Sequence, residues 1–210
     1  MQEKTDCYFV TGIGTDVGKT LVSSIVVEAL HADYWKPVQS GDLEFSDTDK
    51  VKALVSNPTT TYFDNSYALK TPMSPHAAAE IDGVEIDLKA IQRPQTERPL
   101  VIEGAGGLLV PLNQKDTIVD LIDKNDKVIL VSRHYLGSIN HTLLSIAYLK
   151  QKGFNSIGLI FSGNEHPTTE QIVLSKTNVK FIGRVEEEQE ITPEVISKYA
   201  RQFKTNLLNW

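Results

Sequence analysis

The segment Thr11-Gly12-Ile13-Gly14-Thr15-Asp16-Val17-Gly18-Lys19-Thr20 has the residue types needed to hold a chain of phosphates. Its glycines let backbone N–H groups converge on phosphate oxygens, and a helix starting behind them adds positive potential. Lys19 is placed to reach β- and γ-phosphates, and the Thr20 hydroxyl to ligate Mg²⁺. The common form of such a loop has four residues between its first glycine and Gly-Lys-Thr. Here five residues separate Gly12 from Gly18, and three separate Gly14 from Gly18. Without its context the loop would be a glycine-rich turn with an incidental lysine. An apolar run before it and helical apolar spacing after it supply the strand-to-helix setting that the phosphate reading requires.

A second acid follows from Pro99-Leu100-Val101-Ile102-Glu103-Gly104-Ala105-Gly106-Gly107, an apolar run that ends in a carboxylate and a glycine turn. Beside a phosphate loop, a carboxylate at that place holds Mg²⁺ directly or through water. By itself it would be an acid capping a strand. Mg²⁺ takes oxygen ligands and keeps several waters, so Thr20 and Glu103 leave room for a third protein ligand. Asp47 and Asp49 in Ser46-Asp47-Thr48-Asp49 are the candidates. The residues alone favour a capping role, with Asp47 as the N-cap of the next helix and Asp49 in its first turn. In Trp35-Lys36-Pro37-Val38-Gln39-Ser40-Gly41, Pro37 stiffens the exit from an apolar run and Gly41 permits a tight turn. Lys36 is thereby aimed toward the phosphate loop, where a cation steadies charge on a transferring phosphoryl group. In isolation a Lys-Pro pair reads as a surface turn.

These groups need a scaffold, and the hydrophobic pattern predicts one. Residues 8–10, 33–36, 100–102, 128–131, 157–161 and 179–182 read as strands, and 21–30, 51–55, 139–149 and 191–208 as helices. Pro193 suits the first turn of the last helix. Nearly continuous apolar strands between helices predict an α/β fold with a mainly parallel sheet covered on both faces. Such sheets bind ligands at the carboxyl ends of their strands, which is where the loops above fall. Residues 56–97 hold Pro58, Pro72, Pro75 and Pro94 and are the least regular part, either a loop-rich lining of a substrate site or a surface excursion.

Bulk properties narrow the classes. The 210 residues suit one α/β domain over the whole chain, with 40% hydrophobic and 23% charged residues. A formal charge of −6 argues against nucleic acid or an anionic membrane as the main partner. Cys7 is the only cysteine and sits in an apolar run, so neither an intramolecular disulfide nor a cysteine metal site is expected, and the chain reads as cytoplasmic. The first six residues lack the apolar stretch of a signal peptide, and no apolar run approaches membrane-spanning length. None of the five histidines pairs with a serine or cysteine as a triad would require. His31, His134 and His166 read as solvated or structural.

Taken together, the phosphate loop with five intervening residues, Lys36-Pro37-Val38-Gln39-Ser40-Gly41, Ser74-Pro75-His76, Glu103-Gly104-Ala105-Gly106-Gly107 and Leu136-Gly137-Ser138-Ile139-Asn140-His141 resemble the dethiobiotin synthetase family in order and separation. The resemblance covers about the first three-quarters of the chain. It implies a P-loop NTPase-like three-layer fold and an ATP- and Mg²⁺-dependent cyclo-ligase. The reaction implied joins CO₂ to the two amines of 7,8-diaminononanoate, giving dethiobiotin, ADP and phosphate. It further implies that Gly14, Thr15, Asp16, Val17, Gly18 and Lys19 hold the ATP phosphates. Thr20, Asp47 and Glu103 become the Mg²⁺ ligands, with Asp47 preferred to Asp49 on the spacing of Val51 and Leu54. Lys36 and Ser40 would contact carbamate and phosphate, with Lys36 and Lys19 as the catalytic pair and Thr11 and Gly106 beside the substrate. Gly137, Ser138, Ile139 and Asn140 would form a helix N-terminus that binds the substrate carboxylate across a homodimer interface. From the residues alone, Ser138 or Asn140 is a simple N-cap.

The chain departs from the family pattern near its end. Where an adenine-contacting Asn is common, Phe161-Ser162-Gly163-Asn164 stands, so Ser162, Asn164 or backbone would meet the base. Gly183-Arg184-Val185-Glu186 lacks the proline that the family has there, and Glu186-Glu187-Glu188 reads as solvent-facing. Two other readings compete. A partitioning-type P-loop ATPase switch would share the phosphate loop and acidic turn, and a small-molecule kinase would release a stable phosphorylated product.

Overall fold

The computed structural model describes residues 5–210. The signal-peptide expectation falls largely on residues 1–4, which lie outside the described residues. Nine strands and six α-helices follow one another among the described residues. The strands are β1 (Cys7–Gly12), β2 (Asp33–Trp35), β3 (Val38–Ser40), β4 (Tyr62–Phe63), β5 (Tyr67–Leu69), β6 (Leu100–Gly107), β7 (Lys127–Arg133), β8 (Ile157–Ser162) and β9 (Lys180–Val185). The helices are α1 (Lys19–Leu30), α2 (Asp47–Leu54), α3 (Pro75–Asp82), α4 (Ser138–Gln151), α5 (Pro167–Thr177) and α6 (Pro193–Leu208).

Seven strands form one sheet in the order β4-β2-β6-β1-β7-β8-β9, and every neighbouring pair in it is parallel. β1 sits near the middle, between β6 and β7, so Val10 lies beside Glu103 on one side and Ile129 on the other. Phosphate loop and acidic turn therefore leave adjacent strands at the same edge of the sheet. A separate parallel pair, β3 with β5, holds the segment after Lys36.

Strand residues divide between the two faces with period two. Tyr8, Val10, Tyr34, Val101, Ile129 and Val131 pack with α1, α2 and α6, whereas Phe9, Trp35, Leu100, Ile102 and Val128 pack with α3 and the inner side of α4. Leu130, Leu159 and Phe161 complete the second face against α4 and α5. The expected parallel sheet, buried on both sides, is what forms.

Helix boundaries shift by a few residues from the sequence pattern. α1 begins at Lys19, inside the glycine loop, because Gly18 serves as its N-cap with φ 94°. α6 begins at Pro193, with the Thr192 side chain accepting from the Val195 N–H at 3.4 Å. Outside residues 56–97, α5 and β3 were not foreseen. α5 buries only Glu170, Val173 and Thr177, too thin an apolar stripe to stand out. β3 is three residues long and follows a proline. Residues 56–97 are more ordered than their composition suggests: β4 extends the sheet edge, and α3 buries Ala78 and Ala79 in the core.

Candidate active site

The loop between β1 and α1 is built from constrained backbone. Asp16 has φ 55° and Gly18 φ 94°, both left-handed. A Cβ on Gly12 would lie 2.5 Å from Val17 Cγ2 and 3.0 Å from the Gly14 carbonyl, so only glycine fits there. Val17 is buried in the core, which leaves its backbone alone to face a ligand. Lys19 folds back over the loop and donates to the Gly14 carbonyl at 2.9 Å. Burial pushes its ammonium below the ordinary lysine value, and Glu103 works against that shift.

Glu103 is fully buried in the middle of β6, which runs on through the glycines to Gly107 instead of ending at the acid, and it gathers three donors. Oε1 accepts from Thr20 Oγ1 at 2.9 Å and from Lys36 Nζ at 2.9 Å, while Oε2 accepts from the Tyr34 hydroxyl at 2.9 Å. Lys36 also donates to Asp47 Oδ2 at 2.6 Å. Burial acts to lower the Lys36 pKa, but Glu103 and Asp47 outweigh it and hold the value above normal. For Asp47, burial acts upward and Lys36 outweighs it, so the carboxyl stays below its usual range. Burial and the neighbouring carboxylate Glu103 push the Tyr34 hydroxyl well up, keeping it a donor.

The start of α2 corrects the capping reading of Asp47. Ser46 is the N-cap, and its side chain accepts from the Asp49 N–H at 3.2 Å. The Asp49 carboxylate returns to the Ser46 N–H at 2.9 Å, closing a capping box. Asp49 is thus occupied by the helix end, and Asp47 is free to meet Lys36. Gln39 helps to place Asp47, its Oε1 accepting the Asp47 N–H at 3.4 Å. Thr20, Asp47 and Glu103 form a hard-oxygen set, with Thr20 bonded to Glu103 and the two carboxylates linked through the Lys36 ammonium, and such donors suit Mg²⁺. Among the described residues no group of three or more His, Cys, Asp or Glu is arranged to hold a metal. The set is two carboxylates and a hydroxyl, which fits an ion that keeps several waters.

A cleft of about 1210 Å³ opens over this cluster and is lined by Thr15, Asp16, Gly18, Lys19, Thr20, Lys36, Ser40, Asp47, Glu103 and Gly106. The Ser40 hydroxyl has no partner. Gly106, with φ 69°, turns the chain after Glu103. Ser162 lines the cleft further along, so close to the loop that a Cβ on Gly18 would come 3.1 Å from its hydroxyl. Glu186, Glu187 and Glu188 also border the cleft, rather than simply facing solvent.

Several expected residues lie apart. Thr11 is buried below the loop, its hydroxyl unpartnered, and does not line the cleft. Asn164 is not in the lining; its Oδ1 accepts from the Glu187 N–H at 3.4 Å. Gly137, Ser138, Ile139 and Asn140 open α4 outside the cleft of their own chain. Gly137, with φ 105°, is the N-cap and no side chain caps the helix, which corrects the reading of Ser138 or Asn140 in that role.

A model of the AAA domain family matches residues 6–195. The ATP-dependent dethiobiotin synthetase BioD of Christiangramia forsetii is 64% identical over 95% of this chain and 97% of that protein. That of Cytophaga hutchinsonii is 50% identical over 95% of this chain and 97% of that protein. The chain belongs to the dethiobiotin synthetase family. Dethiobiotin synthetase relatives thus match across the last quarter too, beyond the motifs that carried the resemblance. Solved structures add the fold. A plasmid partition protein from Borrelia burgdorferi superposes with a TM-score of 0.58 at 13% identity, covering 99% of this chain and 100% of that one. A ParA family ATPase from Chlorobium tepidum gives 0.54 at 10% identity, covering 98% and 97%. The partitioning-type alternative is therefore a relative in architecture.

Sequence reading missed three residues around this site: Tyr34, Gln39 and Arg133. Tyr34 had a signal, since period two places it on the face of the sheet opposite to Trp35. Arg133 had only its place at the end of β7, and Gln39 had none, because its bond to the Asp47 N–H depends on how the loop before α2 folds.

Proposed function

We propose that the protein is an ATP- and Mg²⁺-dependent dethiobiotin synthetase, a cyclo-ligase that acts on 7,8-diaminononanoate and CO₂ as one catalytic domain. The observation that carries the site assignment is the buried Lys36 ammonium, shared by Asp47 and Glu103 beside the phosphate loop. One substrate amine attacks CO₂, forming a C–N bond and losing a proton to give a carbamate. A carbamate oxygen then attacks the γ-phosphorus, and the bond to the ADP oxygen breaks. The second amine attacks the activated carbon, closes the ring, loses a proton and expels phosphate.

Phosphoryl transfer asks the protein for alignment and charge neutralisation more than for covalent help. Lys19 and the loop amides hold the phosphates, with Gly14, Thr15, Asp16, Val17 and Gly18 supplying backbone. Lys36 steadies charge on the carbamate and transferring phosphoryl group, and Ser40 and Gly106 border the same space. Thr20, Asp47 and Glu103 would hold Mg²⁺, which would supply neutralisation of phosphate charge. No nucleophilic side chain is needed. Ser162 meets the base end of ATP.

The reading includes a homodimer. Helix N-terminal N–H groups suit an anion, and Gly137, Ser138, Ile139 and Asn140 lie outside the lining of their own cleft, as a donor to a second subunit's substrate carboxylate would. Exposed Leu136, Ile139 and Leu144 on the same segment supply apolar surface for that contact. No helix among the described residues is long and apolar enough to cross a membrane, and the reading places the enzyme in the cytoplasm.

The test is mass spectrometry of the product from diaminononanoate, ¹³C-bicarbonate and ATP. A labelled cyclic urea with free phosphate is expected. A stable phosphorylated diamine would identify a kinase, and ATP hydrolysis indifferent to the diamine would identify a switch protein.

A further inference from the structure

The base-side half of the cleft is acidic, carrying Glu186, Glu187 and Glu188, and the cationic pair Lys19 and Lys36 lies at its phosphate end. Arg184 lies 3.3 Å from Glu186 and Lys198 2.9 Å from Glu188, so Glu187 is the carboxylate that a polyanionic nucleotide lying along the cleft would meet without a close cation. Arg133 is the one arginine in the lining. It is the last residue of β7, next to β1, and in the parallel register it lies beside Ser162 of β8.

Its guanidinium crosses the gap. Nη1 donates to the Asp16 carbonyl at 3.1 Å, at the left-handed apex of the phosphate loop, and Nη2 lies 3.8 Å from Glu187. Arg93, Arg98 and Arg184 serve differently: each donates to a carboxylate at 2.6–2.9 Å and ties one segment to another. Arg133 has a single carbonyl at hydrogen-bond distance and a loose contact to a carboxylate, with half its side chain exposed. A guanidinium has five N–H donors in a planar fork and no acceptor, so most of its donors remain for an anion or a ribose.

We propose that Arg133 is a nucleotide-binding residue that grips the ribose and α-phosphate stretch of ATP, between the phosphates held at Lys19 and the base at Ser162. This rests on the ATP reading of the cleft. It assigns Arg133 to the part of the nucleotide that ATP and ADP share, and away from the γ-phosphate that reacts.

Calorimetric titration of ATP and ADP into the wild-type protein, Arg133→Ala and Lys19→Gln separates the two ideas. Arg133→Ala should weaken ATP and ADP alike by about 10- to 100-fold, the range of a lost charge-assisted hydrogen bond. The KM for ATP should rise by more than kcat falls, and Arg133→Lys should recover part of the affinity. Unchanged affinity in Arg133→Ala, with Lys19→Gln weakened, overturns this proposal and leaves the cleft assignment standing. A loss confined to ATP also overturns it, because the contact would then be to the γ-phosphate. Undiminished ATP affinity in Lys19→Gln overturns the cleft assignment itself. Melting curves of Arg133→Ala should stay close to wild type, since in the free protein it loses one exposed hydrogen bond to the Asp16 carbonyl and a loose contact to Glu187.

Discussion

Lys19 and Lys36 stand within one cluster of charge, yet their surroundings give them different work. Lys19 rests on a neutral carbonyl and is lowered by burial, so its charge is available to phosphate. Lys36 is held by two carboxylates and is raised. Replacing Lys19 by Gln should therefore lower kcat by about 100-fold or more, since a preorganised cation at the reacting phosphate is lost. Lys36→Ala should lower kcat more than it weakens ATP binding, and steady-state kinetics with ATP titrations checks both. Unchanged turnover with weaker ATP binding would take Lys36 out of the transition state. The types of both lysines were readable, because a glycine loop and a strand end are local features. Which aspartate joins Lys36 was not readable from local chemistry. Asp47 and Asp49 both open a helix, and only the capping box with Ser46 decides which one is left over.

At the scale of elements, β2 is short but well anchored. Asp33, buried at its start, accepts from the Thr61 N–H at 2.7 Å and from Arg98 Nε at 2.9 Å, joining β2 to the approach to β4 and to the segment before β6. Burial acts to raise its pKa, but hydrogen bonds from Thr96, Thr61 and Arg98 together bring it below 3.8. A depressed carboxyl stabilises the fold above its unfolded value and loses that contribution as pH falls through the folded value. Thermal melts from pH 6 downward should show wild type losing stability below about pH 4 faster than Asp33→Asn does. At neutral pH the variant should be less stable by about 1–3 kcal/mol, the cost of unmatched buried partners. An equal acid slope in both proteins would remove Asp33 from the acid transition. Apart from β4, the strands of the main sheet were legible from their apolar runs. β3 and α5 were not, because a three-residue strand after proline and a helix with three buried residues leave almost no periodic trace.

For the molecule as a whole, the proposed site needs two chains: Lys19 from one protomer and the start of α4 from its partner. Mixing inactive Lys19→Gln with inactive Gly137→Val should then restore roughly a quarter of wild-type activity, since half the dimers are mixed and each carries one intact site. No recovery after confirmed subunit exchange would place both groups in one chain. The residues themselves told of the parallel scaffold and its loops, whereas the division between chains came only from the family resemblance, because exposed Leu136 and Leu144 look the same on any surface. Lys36 has one more consequence. Two buried acids left alone would repel, and the ammonium bridging them at 2.6 and 2.9 Å supplies its own counter-charge. The fold should therefore not depend on the proposed Mg²⁺: calorimetry in EDTA should find the wild-type melting temperature unmoved. Lys36→Met should melt earlier under chelation and regain part of the difference with magnesium, so that dialysis against a chelator would silence the wild-type enzyme without harming it.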